Sequence, residues 1–252
     1  MQTTSGWWRV GAAAVHVYTA SGAALALLIV LAAFDGNESR ALWLGLVALI
    51  IDGTDGMLAR FMRVKERIPW FDGARLDDIV DYLTYVFAPV LLLWSGGYLP
   101  AGGWGIALAT LPLFASTYQF CRVDAKTDER SFFFLGFPSY WNVVAFYVIV
   151  LDLQPLVVGS ILVVCSILVF VPIRYVYPSR TQEFRPLTLS LTAVWLVAYA
   201  VILAQLPDPN PFWLALSLLY LAYYLVLSLH LTAQRRRSAG ELRAPAAAGV
   251  LD

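Results

Sequence analysis

Charge is scarce in this chain. Of its 252 residues, 13% are Asp, Glu, Lys or Arg and 60% are hydrophobic, and the mean hydropathy is +0.70. A soluble domain carries about twice that charged share, so a water-facing globule is a poor description. Cysteine is equally sparse: Cys121 and Cys165 fall within or at the ends of apolar stretches, where they read as small buried hydrophobes rather than a disulfide or a thiolate metal site. Histidine occurs only twice. The formal net charge is zero, and no nucleic-acid partner is expected.

What the chain has instead is apolar runs of the length that crosses a bilayer core as a helix, about 20 residues. Eight such spans are predicted, at 12–33, 41–62, 75–95, 103–121, 139–152, 156–175, 186–206 and 211–232. The expected fold is therefore an all-α polytopic membrane protein of about eight transmembrane helices. It would form one domain over 1–252, with a disordered tail from 238 to 252. The first apolar stretch is about twice as long as a signal-peptide core, so it reads as a retained helix. With the N-terminus in the cytoplasm, sixteen of the seventeen Lys and Arg residues fall on cytoplasmic segments and only Arg40 falls outside. This bias predicts that both termini are cytoplasmic.

Carboxylates inside a membrane cost roughly 2.5–3.5 kcal/mol each at mid-bilayer on insertion scales. Yet Asp52, Asp55, Asp77 and Asp81 lie where the second and third spans approach the cytoplasm, with Asp72 and Asp78 off the pattern. Separations of three and four residues put each pair on one helix face, and a short loop makes the two helices antiparallel neighbours. Asp52 lies about 12 Å before Arg60 along the helix, so all four acids are expected in one cavity near the cytoplasmic surface. Four carboxylates there repel one another unless a cation neutralises them. An all-oxygen set without Cys or His suits Mg²⁺ or Mn²⁺, and paired ions of this kind recur in displacement at phosphorus. Gly56, Ala59 and Gly73 remove side chains from these helices, either for close helix packing or for a ligand. Arg60 offers a phosphate-binding fork.

The pattern Asp52-Gly53-x-Asp55-Gly56-x-x-Ala59-Arg60, then Gly73-x-x-x-Asp77-x-x-x-Asp81, resembles the signature of the CDP-alcohol phosphatidyltransferases. Twelve residues separate Arg60 from Gly73 where that family usually has eight. The longer spacer resembles the bacterial phosphatidylcholine synthase branch, as do the segments 16–22, 124–128, 136–142 and 171–180. The resemblance implies transfer of a phosphatidyl group from CDP-diacylglycerol to choline, releasing CMP. It further implies two Mn²⁺ or Mg²⁺ ions on Asp52, Asp55, Asp77 and Asp81, with Asp81 also the general base. Gly53, Gly56, Ala59, Arg60 and Gly73 would contact the CDP moiety. A homodimer in the bacterial inner membrane, with its site facing the cytoplasm, is implied as well.

Choline's quaternary nitrogen donates no hydrogen bond, so aromatic faces are the expected recognition device. Tyr82, Tyr85, Tyr118, Tyr140, Trp141 and Tyr175 are cytoplasmic-side candidates, with Arg174 as a phosphate contact. Tyr and Trp also gather at membrane interfaces regardless of function. Asp124 and Asp128 read equally as solvated loop charges or ammonium partners, and His16 reads as a packed or capping residue. Two other functions compete. One is the same chemistry on serine, inositol phosphate or glycerol phosphate, which needs basic residues such as Arg122, Arg174 and Arg180 in the pocket. The other is divalent-cation transport, since intramembrane acids also mark ion pathways.

Overall fold

The computed structural model describes residues 6–122 and 133–248. Helices occupy each of the eight predicted stretches. They are α1 (Gly6–Phe34), α2 (Glu38–Phe61), the short α3 (Val64–Arg67), α4 (Gly73–Asp81), α5 (Ala88–Ser95), α6 (Gly103–Cys121), α7 (Trp141–Val150), α8 (Pro155–Phe170), α9 (Arg185–Ala204) and α10 (Pro211–Ala248). Four are long and apolar enough to cross a membrane: Trp7–Phe34, Glu38–Phe61, Arg185–Ala204 and Pro211–Arg237. The helical class and membrane character expected from the sequence both hold at this level.

Helix starts are set by side chains that satisfy the free N–H groups of the first turn. Gly36 (φ 68°) turns the chain after α1, and Asn37 accepts from the Arg40 amide at 3.0 Å to begin α2. Asp72, off the acidic pattern in sequence, accepts from the amides of Ala74 (3.1 Å) and Arg75 (3.2 Å). It thereby starts the helix that carries Asp77 and Asp81.

The third predicted span is one helix with a fault in it. α4 runs through a wide π-turn, Tyr82–Phe87, into α5. Pro89 follows directly. It has no N–H to give the carbonyl of residue 85, and its ring crowds that carbonyl, so widening the turn relieves the clash. Single π-turns of this kind are frequent at functional sites.

The sixth predicted span is too long. α8 stops at Phe170, and residues 174–176 leave the helix to form a strand. Pro172 accounts for this, because it breaks the helical bonding and biases Val171 toward extended backbone; Val171 has φ −84° and ψ 125°. Strand β2 (Arg174–Val176) pairs antiparallel with β1 (Phe133–Leu135), with Phe134 opposite Tyr175. The outward amides of β2 are taken up by α10: Arg174 donates to Thr232 at 2.9 Å and Val176 to Ser228 at 3.1 Å. The fifth predicted span, 139–152, is the ten-residue helix α7.

α1 packs along α2, α4 and α5, and α9 packs on α10. The main core centres on α5 and α7, with Val86, Val90, Leu93, Phe146 and Val148 almost fully buried. Phe146 stacks on Tyr199 with centroids 3.7 Å apart. Exposed Leu, Val, Ile and Phe side chains cover the outer helix faces, the arrangement that a lipid solvent favours.

Candidate active site

The C-terminal half of α2 meets α4 at the acids. Ligand oxygens of Asp52, Asp55 and Asp77 all lie within 4.8 Å of one another. Asp55 is buried, 5% exposed, and Asp77 is within hydrogen-bonding reach of it. Asp81 lies outside that three-residue set. Four residues on from Asp77, it is about 6 Å farther along the helix axis, level with Asp52 on the antiparallel partner. Asp52 and Asp81 both act electrostatically on Tyr85.

Two hydroxyls fix the carboxylates. Thr19 on α1 donates to Asp55 Oδ2 at 2.7 Å, and Tyr85 in the π-turn donates to Asp52 Oδ2 at 2.5 Å. A third link holds α1 to α2, where the Tyr18 and Thr54 hydroxyls are 2.8 Å apart. Such outer contacts orient metal-binding carboxylates and hold their lone pairs in place. Thr19 is the residue that sequence reasoning missed. Its signal is weak, one of three hydroxyls (Tyr18, Thr19 and Ser21) in an apolar first span, and only its position one turn beyond His16 sets it near the acids.

The glycines divide by role. A Cβ added at Gly53 meets nothing within 4 Å among the described residues, and one at Gly56 meets only Arg60 Nη1, at 3.4 Å. Neither glycine is needed for helix packing, so both leave open space beside the acids. Gly73 is different, because its Cβ would come 2.7 Å from His16 Cε1. His16 is thus a packed residue, seated on Gly73 and 4.4 Å from the Phe71 ring. Arg60, 4 residues beyond Gly56, is exposed and contributes a positive field at Asp55. Ala59 packs against a small cluster of Ala12, Val15, Val64 and Ile68.

Three acidic oxygens gathered this closely, with one neutral hydroxyl donor each on Asp52 and Asp55, fit a hard divalent cation. Such ions favour carboxylate oxygens and keep positions for phosphate oxygens.

The aromatic candidates separate. Tyr82 donates to the Leu113 carbonyl at 3.2 Å and lies edge-on to Phe120, so it ties the π-turn to α6. Tyr118 is 46% exposed and packs on Phe170 at 4.8 Å, on an outer face. Trp141 is in the core, its indole donating to Ser116 Oγ at 2.8 Å. Arg174 lies in β2, with its backbone bound to Thr232. Tyr85 and Tyr140 do come together, with ring centroids 6.0 Å apart. Asp124 and Asp128 lie outside the described residues.

The CDP-alcohol phosphatidyltransferase family model matches residues 16–172, the stretch that contains all four acids. The chain is 41% identical over 216 residues to the phosphatidylcholine synthase of Pseudomonas aeruginosa, covering 85% of this chain and 89% of that one. It is 39% identical over 225 residues to the phosphatidylcholine synthase of Legionella pneumophila (86% and 87% covered). To that of Borreliella burgdorferi it is 36% identical over 224 residues (88% and 94% covered).

Proposed function

Because the chain belongs to the CDP-alcohol phosphatidyltransferase family, we propose that it transfers the phosphatidyl group of CDP-diacylglycerol to choline, giving phosphatidylcholine and CMP. The observation that carries this reading is the convergence of Asp52, Asp55 and Asp77 on one point beside two glycines that leave room for a ligand. Similarity to relatives named for phosphatidylcholine, over most of each chain, supports choline as the acceptor.

Asp52, Asp55 and Asp77, with Asp81 completing the set, would hold two Mn²⁺ or Mg²⁺ ions. Bound there, such ions neutralise the pyrophosphate and stabilise CMP as a leaving group. Gly53 and Gly56 give the CDP moiety access to the helix backbone, and Arg60 pairs with its phosphates. Asp81 accepts the proton of the choline hydroxyl as that oxygen bonds to the β-phosphorus. The bond from that phosphorus to the CMP oxygen breaks with its electron pair staying on CMP. Thr19 and Tyr85 hold the carboxylates still throughout, which is how neighbouring donors add to catalysis without touching substrate. No covalent enzyme intermediate is required, so inversion at phosphorus is expected.

The same proposal includes eight spans with both termini in the cytoplasm, one domain, a homodimer and residence in the bacterial inner membrane. The basic residues at one end of the bundle support that orientation, and they would draw the anionic CDP-diacylglycerol toward the site.

The test uses purified protein in detergent with CDP-diacylglycerol, Mn²⁺ and labelled choline, with serine, inositol phosphate and glycerol phosphate in parallel. Metal-dependent phosphatidylcholine and CMP formation, lost in Asp81→Asn, is expected. Transfer to another alcohol with choline inert would discard the acceptor. Absence of CMP release with every acceptor would discard the transferase reading.

A further inference from the structure

A second group of aromatic side chains adjoins the acids on the Asp52 side. Tyr140, just before α7, is its hub. Its ring centroid is 6.0 Å from Tyr85, 6.2 Å from Phe134 and 6.4 Å from Tyr224. Tyr175 on β2 lies 6.3 Å from Tyr224, nearly parallel to it. Five rings from the π-turn, the two-stranded ribbon, the start of α7 and the middle of α10 thus meet in one place. Tyr85 belongs to both groups, since its hydroxyl is bonded to Asp52, and Tyr140 also feels the Asp52 charge.

Tyr175 and Tyr224 belong to a small core cluster with Phe133, Val176, Leu227 and Leu231, against which Phe134 and Tyr140 pack, but apolar packing does not account for the phenol of Tyr224. Other tyrosines of the same bundle spend their hydroxyls well. Tyr223 pairs with Thr188 at 2.8 Å, Tyr220 with Thr192 at 2.8 Å, and Tyr147 accepts from Trp195 at 3.0 Å. The Tyr224 hydroxyl is buried yet makes no hydrogen bond; it faces Tyr140 without reaching bonding geometry. Leaving a buried hydroxyl unpaired costs about 1–3 kcal/mol, and phenylalanine would pack there without that cost. Tyr140 and Phe134, meanwhile, are only half-buried.

Negative ring faces and unspent phenol oxygens, next to a carboxylate, suit a cation that has no N–H to donate. Its polarised methyl groups can approach both ring faces and hydroxyl oxygens. A phosphorylated acceptor would need cations instead. Arg235, which lies over the neighbouring Phe133 ring at 5.2 Å, is already bonded to Glu183 at 2.8 Å.

We infer that Tyr140, Tyr175 and Tyr224 enclose the trimethylammonium group of the acceptor, with Tyr85 as the wall between it and the acids. The inference rests on the choline reading above and adds the residues that make the choice. Tyr175 and Tyr224 lie beyond residue 172, where the family match ends. Acceptor selection is therefore assigned in large part to the ribbon and α10, while metal and nucleotide binding stay within the family-matched part.

The experiment measures KM for choline and for CDP-diacylglycerol in the wild type, Tyr140→Leu and Tyr224→Leu. 3,3-Dimethylbutan-1-ol, the uncharged carbon analogue of choline, serves as competing acceptor. Loss of one aromatic face is expected to raise KM for choline about 3- to 30-fold. KM for CDP-diacylglycerol should stay within about 2-fold, and the preference for choline over its neutral analogue should shrink. Leucine variants that use choline with unchanged KM overturn the inference while leaving the transferase intact. If choline is not a substrate of the wild type, the function proposed above fails instead. Should the leucine variants not fold, the wild type decides: preference for choline over the neutral analogue by 10-fold or more supports the enclosure, and equal use overturns it.

Discussion

The phenol of Tyr85 donates to Oδ2 of Asp52 at 2.5 Å, joining the π-turn of the third long helix to the acidic end of the second. Bonds from a neutral donor to a charged acceptor contribute about 1.5–3 kcal/mol. Tyr85→Phe keeps the ring and removes that bond. We expect kcat/KM for phosphatidyl transfer to fall about 10- to 100-fold, with a higher Mn²⁺ concentration needed for half-maximal rate. A Mn²⁺ titration of CMP release checks this, and an unchanged metal dependence would refute the positioning role.

Thr19 plays the matching part for Asp55. Thr19→Val is nearly isosteric and deletes only the hydroxyl that donates at 2.7 Å. Outer contacts to a ligating carboxylate are typically worth about 10- to 100-fold in metal affinity or activity, and a loss of that size is expected. Thr19→Ser, which restores the donor, should recover most of it.

Gly56→Ala and Gly73→Ala should fail for different reasons. At Gly56 the new methyl meets only the mobile end of Arg60. The melting temperature should hold, therefore, while KM for CDP-diacylglycerol rises at least 10-fold. At Gly73 the methyl strikes the His16 ring at 2.7 Å, which predicts lower thermal stability by about 1–3 kcal/mol. His16→Ala in the same chain should restore part of that stability. Thermal unfolding followed alongside the two KM values separates the cases.

Trp141→Phe removes the bond to Ser116 at 2.8 Å. Stability should fall by about 1–3 kcal/mol, because the Ser116 hydroxyl loses its buried partner, while KM for choline stays within about 2-fold. A large rise in that KM would return Trp141 to the acceptor site.

Orientation has its own test in a cysteine-free background. Asn37→Cys, in the α1–α2 turn, should react with an impermeant maleimide in intact cells. Lys65→Cys, in α3, should react only after the membrane is opened.

Much of this was legible in the sequence. Apolar runs gave the helices, and the i, i+3 spacing of Asp52 and Asp55 and the i, i+4 spacing of Asp77 and Asp81 put each pair on one helix face. The rest was hidden for physical reasons. Strands of three residues have no period to detect, and β1 and β2 are specified by each other across about forty residues; Pro172 was their only local mark. The π-turn depends on how Pro89 is accommodated inside one helix. Tyr224 sits in an apolar run, where a phenol counts as one more ring until its neighbours are known.

The hydroxyls of Ser228 and Thr232 cover the outward amides of β2. Bare strand edges cannot rest against hydrocarbon, since every unpaired backbone group there is costly. With that edge sealed by a helix, the ribbon can sit at the seam between water and leaflet without soliciting a foreign strand. A catalyst that joins a water-soluble alcohol to a lipid has to work at that boundary, where its two reactants, dissolved in immiscible phases, come within bonding distance.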